Sequence, residues 1–197
     1  MRLKEKNSER ILAPEGVHQA RLIRLVDCGS QYSEKFKKSS RKVRATFELV
    51  DAKHIFDEDK GEQPFLIDRE YTLSIGKRSN FRKDLDSWRG TKLTKAEAED
   101  FDPDELLNSV GQVQVVHVSS ADGEETYANI QTLVALPKGT KVSEPENEVF
   151  SFWLEDKLDS SRFDEFPEFI QDKIANSPEY KALTGSAPAA VDVSDVV

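Results

Sequence analysis

A strict two-residue alternation is the feature that most restricts how this chain can fold. From Arg41 to Val50, one register holds Val43, Ala45, Phe47 and Leu49, and the other holds Lys42, Arg44, Thr46 and Glu48. Successive side chains of an extended strand point to opposite faces, so this spacing specifies a strand with one face in a core and the other basic and polar. Phe65 to Ile75 repeats the pattern through Phe65, Ile67, Tyr71, Leu73 and Ile75. Val17 to Asp27 is rich in apolar and β-branched residues and reads as a further strand. Gly111 to Ser119 and Glu125 to Leu136 flank Ala121-Asp122-Gly123, and Asp-Gly between such runs is a hairpin signal.

Helical signals fall between the third and fourth of these strands. Ser79 is a capping residue, Phe81, Leu85 and Trp88 follow at helical spacing as expected core residues, and Gly90 ends the run. Thr94 with Glu97 forms a capping-box pattern, and Asp102-Pro103 opens another short turn. Five strands with helices between the third and fourth is the element order of an oligonucleotide-binding barrel, the OB-fold. The expected fold class is therefore mainly β with short helices: a five-stranded OB-fold barrel, a helical insert and an acidic C-terminal appendage.

This reading divides the chain into a mobile arm (1–13), the barrel domain (14–139), an acidic aromatic extension (140–183) and a disordered tail (184–197). The extension carries Phe150, Phe152, Trp153, Phe163, Phe166 and Phe169, with one helix expected at 167–175. Two polar stretches, 29–40 and 51–63, read as long exposed loops.

Among 197 residues the net charge is −9, yet the signs are segregated. Residues 1–92 hold 21 basic and 15 acidic side chains, and residues 93–197 hold 7 and 22, giving +6 and −15. Such asymmetry points to a basic working surface beside an acidic flank.

Catalytic patterns are missing from the sequence: no Gly-rich phosphate loop ending in Lys-Ser/Thr, no His-Glu-x-x-His, no Cys-x-x-Cys. His18, His54 and His117 are scattered, Asp57-Glu58-Asp59 reads as a solvated acidic loop, and the lone Cys28 reads as a small apolar filler. The expectation is a non-enzyme with no metal and no cofactor. No apolar run reaches the ~18 residues of a membrane span, so neither a membrane nor a secretory route is expected, and the reducing cytosol is the expected compartment.

Binding an unpaired strand needs cations for phosphates and aromatic faces for bases. One cluster supplying both is Tyr32, Lys35, Phe36, Lys37, Lys38, Arg41, Lys42 and Arg44. A second is Arg69, Tyr71, Lys77, Arg78, Arg82, Lys83 and Arg89, and Tyr127 is a further stacking candidate on the barrel face. The acidic extension and tail would contact partner proteins or compete for the basic groove, in which case deleting 184–197 or 140–197 raises strand affinity at low salt.

Several motifs together carry a family resemblance. They are Arg69-Glu70-Tyr71-Thr72-Leu73-Ser74-Ile75, then Lys77 to Leu85 within Ser-Asn-x-Arg-Lys-Asp-Leu-x-x-Trp-Arg-Gly (79–90), and Thr126-Tyr127-Ala128-Asn129 with Leu136-Pro137-Lys138-Gly139. With Pro14-Glu15-Gly16 and the Phe-Pro-Glu-Phe close at 166–169, the chain over about 14–180 resembles bacteriophage and prophage replication-module proteins of the OB-fold single-stranded DNA-binding type. The resemblance implies a protein that coats unpaired DNA in replication, recombination or repair in the cytoplasm of a bacterial host. It also implies contacts to phage or host replication proteins, and homo-oligomerisation is compatible with it. The chain departs from many such proteins at its tip, where Val191 to Val197 contains only Asp192 and Asp195 as acids, so the acidic 144–172 segment is the better partner-binding candidate. The competing reading is a non-catalytic protein-interaction module of a phage replication or host-takeover complex, acting through that acidic region.

Overall fold

The computed structural model describes residues 11–155 and 157–185. Its centre is one sheet in which β3 (Gly61–Thr72), β2 (Lys38–Asp57), β1 (Gly16–Ser33), β4 (Val110–Ser119) and β5 (Thr126–Ala135) are neighbours in that order, all antiparallel. A short sixth strand, β6 (Phe150–Phe152), pairs in parallel with Arg24–Val26 of β1. Five short α-helices, α1 (Asn80–Arg89), α2 (Lys95–Glu99), α3 (Ser160–Asp164), α4 (Glu168–Ala175) and α5 (Pro178–Thr184), and a single 3-10 turn at Pro103–Leu106 complete the regular structure of the described residues.

β2 buries Val43, Ala45, Phe47 and Leu49, as its alternation requires. β1 does not alternate, because Ile23 and Cys28 are extra residues opposite β2: Leu22 and Arg24 face the consecutive Phe47 and Thr46, and Asp27 and Gly29 face Val43 and Lys42. A bulge reverses which positions face inward. Ala20 and Leu22 therefore enter the main core on even numbers, and Leu25 on an odd one. β1 is consequently buried on both sides, with Val26 facing a second cluster made by Phe152, Leu154, Phe163, Ile170 and Ile174.

The helix α1 closes the main core. Ser79 caps it by accepting from the Arg82 amide, and Gly90 ends it at φ 68°. Phe81 meets Tyr71 edge-on at 5.4 Å and Trp88 meets Phe47 at 5.2 Å. Trp88 lies so close to β4 that a Cβ on Gly111 would stand 2.5 Å from its ring.

Four expectations about the sheet change. The stretch 29–40 is not a long loop: β1 runs to Ser33, β2 starts at Lys38, and the turn is only Glu34 to Lys37, with Lys37 at φ 49°. Likewise β2 and β3 extend through the 51–63 stretch, leaving a turn at Glu58 to Lys60 before Gly61 at φ 70°. The third strand ends at Thr72, and Leu73 and Ile75 pack against the core beyond it. Finally, the sheet is not closed into a barrel. Its outermost strands β3 and β5 approach each other without a described backbone ladder, and the Arg69 guanidinium bridges them by donating to the Ile130 carbonyl at 2.9 Å.

The extension is folded onto the sheet, with three helices and a strand where one helix was expected. Two buried carboxylates of the sheet's outer face receive it. Glu48 accepts from the amides of Glu146 and Asn147 at 3.1 and 2.9 Å, and Asp27 accepts from the Leu154 amide at 3.1 Å. Glu179 of α5 accepts from the Ser30 amide and hydroxyl at 2.8 and 2.6 Å. Of the expected mobile arm, Ala13 is buried in the main core, and residues 1–10 lie outside the described residues, as does the tail from 186 onward.

Candidate nucleic-acid interface

Strand pairing brings parts of both basic clusters to one place. Lys42 faces Thr72 across the β2–β3 ladder, and its ammonium donates to the Thr72 hydroxyl at 2.8 Å. Beyond Thr72 the chain turns at Gly76-Lys77-Arg78, where the Ser79 amide donates to the Gly76 carbonyl at 2.8 Å and the Ser79 hydroxyl to Ser74 at 2.6 Å. The tip of the β1–β2 hairpin brings Phe36 and Lys38 to the same region. The result is a groove of about 850 Å³ lined by Phe36, Lys38, Lys42, Arg69, Lys77 and Arg78, with Glu70 its only lining acid. Among the described residues Lys38, Lys77 and Arg78 have no ion-pair partner, so their charges face solvent uncompensated. Phe36 is 65% exposed with the Lys35 ammonium 5.5 Å from its ring centre, and Tyr32 is exposed on the same hairpin.

Other expected contacts are engaged within the fold. Arg41 donates to the buried Asp27 through Nε at 3.0 Å and Nη2 at 2.5 Å, and these bonds raise the pKa of its guanidinium. Moving Arg41 to a phosphate would strand a buried carboxylate. Arg44 pairs with Asp68 at 2.6 Å beneath the Phe169 ring, Lys37 pairs with Glu34 at 2.5 Å, and Arg69 pairs with Asp84 at 3.0 Å. Lys83 is exposed on another flank of α1, beside Val134, away from the groove.

Two candidates are corrected outright. Tyr71 is 5% exposed and is a core residue, with burial, then the Asp84 charge, raising its hydroxyl pKa. Arg82 is 6% exposed, with Nε bonded to Asp86 at 3.1 Å and Nη2 to the Leu93 carbonyl at 2.5 Å. Arg82 cannot meet a strand without dismantling the packing of α1, and Tyr71 reaches the first groove only with the small edge that the core leaves open.

Tyr127 lies on a second groove of about 690 Å³, together with Phe56, Lys60, Leu66 and Arg44. Phe56 escaped the sequence reading; the signal was the apolar pair Ile55-Phe56 inside an otherwise polar stretch. The histidines serve structure: His18 contacts Asp51 at 3.2 Å and the Pro14 carbonyl at 2.9 Å, and His117 contacts the Ala13 carbonyl at 2.8 Å. Burial pushes the Cys28 thiol up to about 11.

The extension borders the first groove without lining it. Lys173 of α4 pairs with Glu70, and the aromatic residues Phe152 and Phe163 are buried against β1. Removing 140–197 would therefore strip an integral layer from β1 rather than release a loose competitor.

Among the described residues no helix is long and apolar enough to cross a membrane. No protein-family model matches this chain, and no curated protein matches it either.

Proposed function

We propose that this chain is a sequence-tolerant single-stranded DNA-binding protein, non-catalytic and without a cofactor. In this reading Lys38, Lys42, Lys77 and Arg78 neutralise phosphates in the first groove while Phe36 and Tyr32 stack on bases. One observation carries the reading: cations that no carboxylate pairs among the described residues converge beside an exposed aromatic ring in a groove of about 850 Å³. Stacking contributes ~1–3 kcal/mol per base and is indifferent to sequence, which suits a coating protein.

The strand order supports assigning the sheet to the OB-fold. An antiparallel order of β3-β2-β1-β4-β5 whose outer strands approach is that of a five-stranded, partly open barrel, a fold that commonly grips single strands. A phage or prophage origin, action in replication, recombination or repair in the cytoplasm of a bacterial host, and homo-oligomerisation belong to the same proposal. A second reading, a protein-interaction module, draws on Phe169, which stands exposed on the acidic extension where a partner protein could cover it.

Affinity for a ~30-nucleotide single strand at two salt concentrations tests the proposal, which requires binding that weakens as salt rises. Failure to bind at low salt overturns it and leaves the interaction module.

A further inference from the structure

The two grooves meet on one strand. Every residue of β3 from Gln63 to Thr72 lines one groove or the other, and Glu70 lines both. β3 is an edge strand, laddered only to β2. We infer that a bound strand follows β3 out of the first groove into the second, where Phe56 forms another base-stacking station. This rests on the function just proposed.

The second groove suits bases rather than phosphates. Its charged groups are already matched: Arg44 with Asp68 at 2.6 Å, Lys60 with Asp57 at 3.6 Å, and Glu70 with Lys173 of α4. It therefore neither draws nor repels a phosphate strongly. Within a mostly polar lining it offers an aromatic ring for stacking: Phe56 is 47% exposed, set edge-on against Phe65 at 5.0 Å, with Leu66 and Tyr127 exposed nearby. Phe65 and His54, at 5.0 and 5.2 Å, support the ring from behind and fix its orientation. The Lys173–Glu70 pair sits where the grooves join, so the extension neutralises the acid at their junction.

Stacking and phosphate contact differ in salt response and in the strand length they need. Oligothymidines of about 4 and about 16 nucleotides bracket the site sizes known for such folds. Phe56→Leu keeps an apolar side chain on the hairpin but removes the ring. We expect it to weaken binding of the longer strand by about 5- to 150-fold, with the salt slope unchanged and the shorter strand unaffected. Phe56→Tyr should retain affinity, and Leu66→Glu, a change at an exposed position, should also weaken only the longer strand. The inference is overturned if both lengths bind the Phe56→Leu and Leu66→Glu variants like the parent while Phe36→Leu weakens them. That result leaves the first groove, and the proposed function, standing. If the parent chain binds neither length at low salt, the proposed function fails and the inference with it.

Discussion

Replacing Lys38, Lys77 and Arg78 together by Gln removes three of the four groove cations that no carboxylate holds, leaving Lys42. All three are exposed, so the fold should tolerate the change, and an unaltered melting curve checks this. Each phosphate neutralised on a single strand contributes about −0.7 to the slope of log affinity against log salt. Four cations then give a slope of about −2.8, an affinity loss of about 50-fold between about 50 and about 200 mM salt. With Lys42 alone the slope becomes about −0.7 and the loss about 3-fold. Fluorescence anisotropy of a labelled ~30-nucleotide strand over that salt range reads both quantities. A variant with the parent's affinity and slope would refute the assignment of these side chains to phosphates, whatever surface carried the binding.

Other consequences concern how the extension is held. Gly29 has φ 65°, and a Cβ there would stand 2.3 Å from the Ser177 Cβ, so Gly29→Ala should destabilise the chain by about 2–4 kcal/mol in denaturant titrations. Glu179 has a lowered pKa: burial opposes the shift, but the hydrogen bonds from Ser30 outweigh it. A carboxylate depressed in the folded state stabilises above its unfolded pKa and loses that contribution as pH falls through the folded one. Amide exchange in α5 should therefore accelerate below the ordinary glutamate range, and Glu179→Gln should remove that pH dependence. Cys28, buried and with its thiol pushed up to about 11, should resist a thiol reagent at pH 8 in the native chain and react fully in denaturant.

Local rules made much of the sheet and of α1 readable from the sequence. The β2 alternation, the Ser79 and Gly90 caps, the Thr94–Glu97 capping box and the Asp122-Gly123 turn each depend on residues within a few positions of one another. β1 was harder, because bulges at Ile23 and Cys28 shift its register only against β2. The 29–40 stretch lacks apolar periodicity because only Gly29 to Gln31 are held under α4 and α5, while most of the hairpin beyond them is exposed. Of the covering helices, α4 matches the helix expected at 167–175, but the surface it covers was illegible, because its apolar residues complete a core with Val26, a partner more than a hundred positions away.

The candidate site divides in the same way. Phe36, Lys38, Lys42, Lys77 and Arg78 could be named from composition, but their convergence depends on the Lys42–Thr72 pairing and the turn that follows. Tyr71 and Arg82 were separable in principle. Tyr71 shares its register with the core residues Phe65 and Ile67, and Arg82 has Asp86 one helical turn along.

The most direct measurement is photo-crosslinking of a halogenated ~30-nucleotide thymidine-rich strand to the whole chain, with the attachment sites mapped by mass spectrometry. The account predicts adducts at Phe36 and Tyr32 and in peptides spanning Arg69 to Arg78, suppressed as salt rises. Adducts confined to the surface of α4 and α5, or none at low salt, would contradict it.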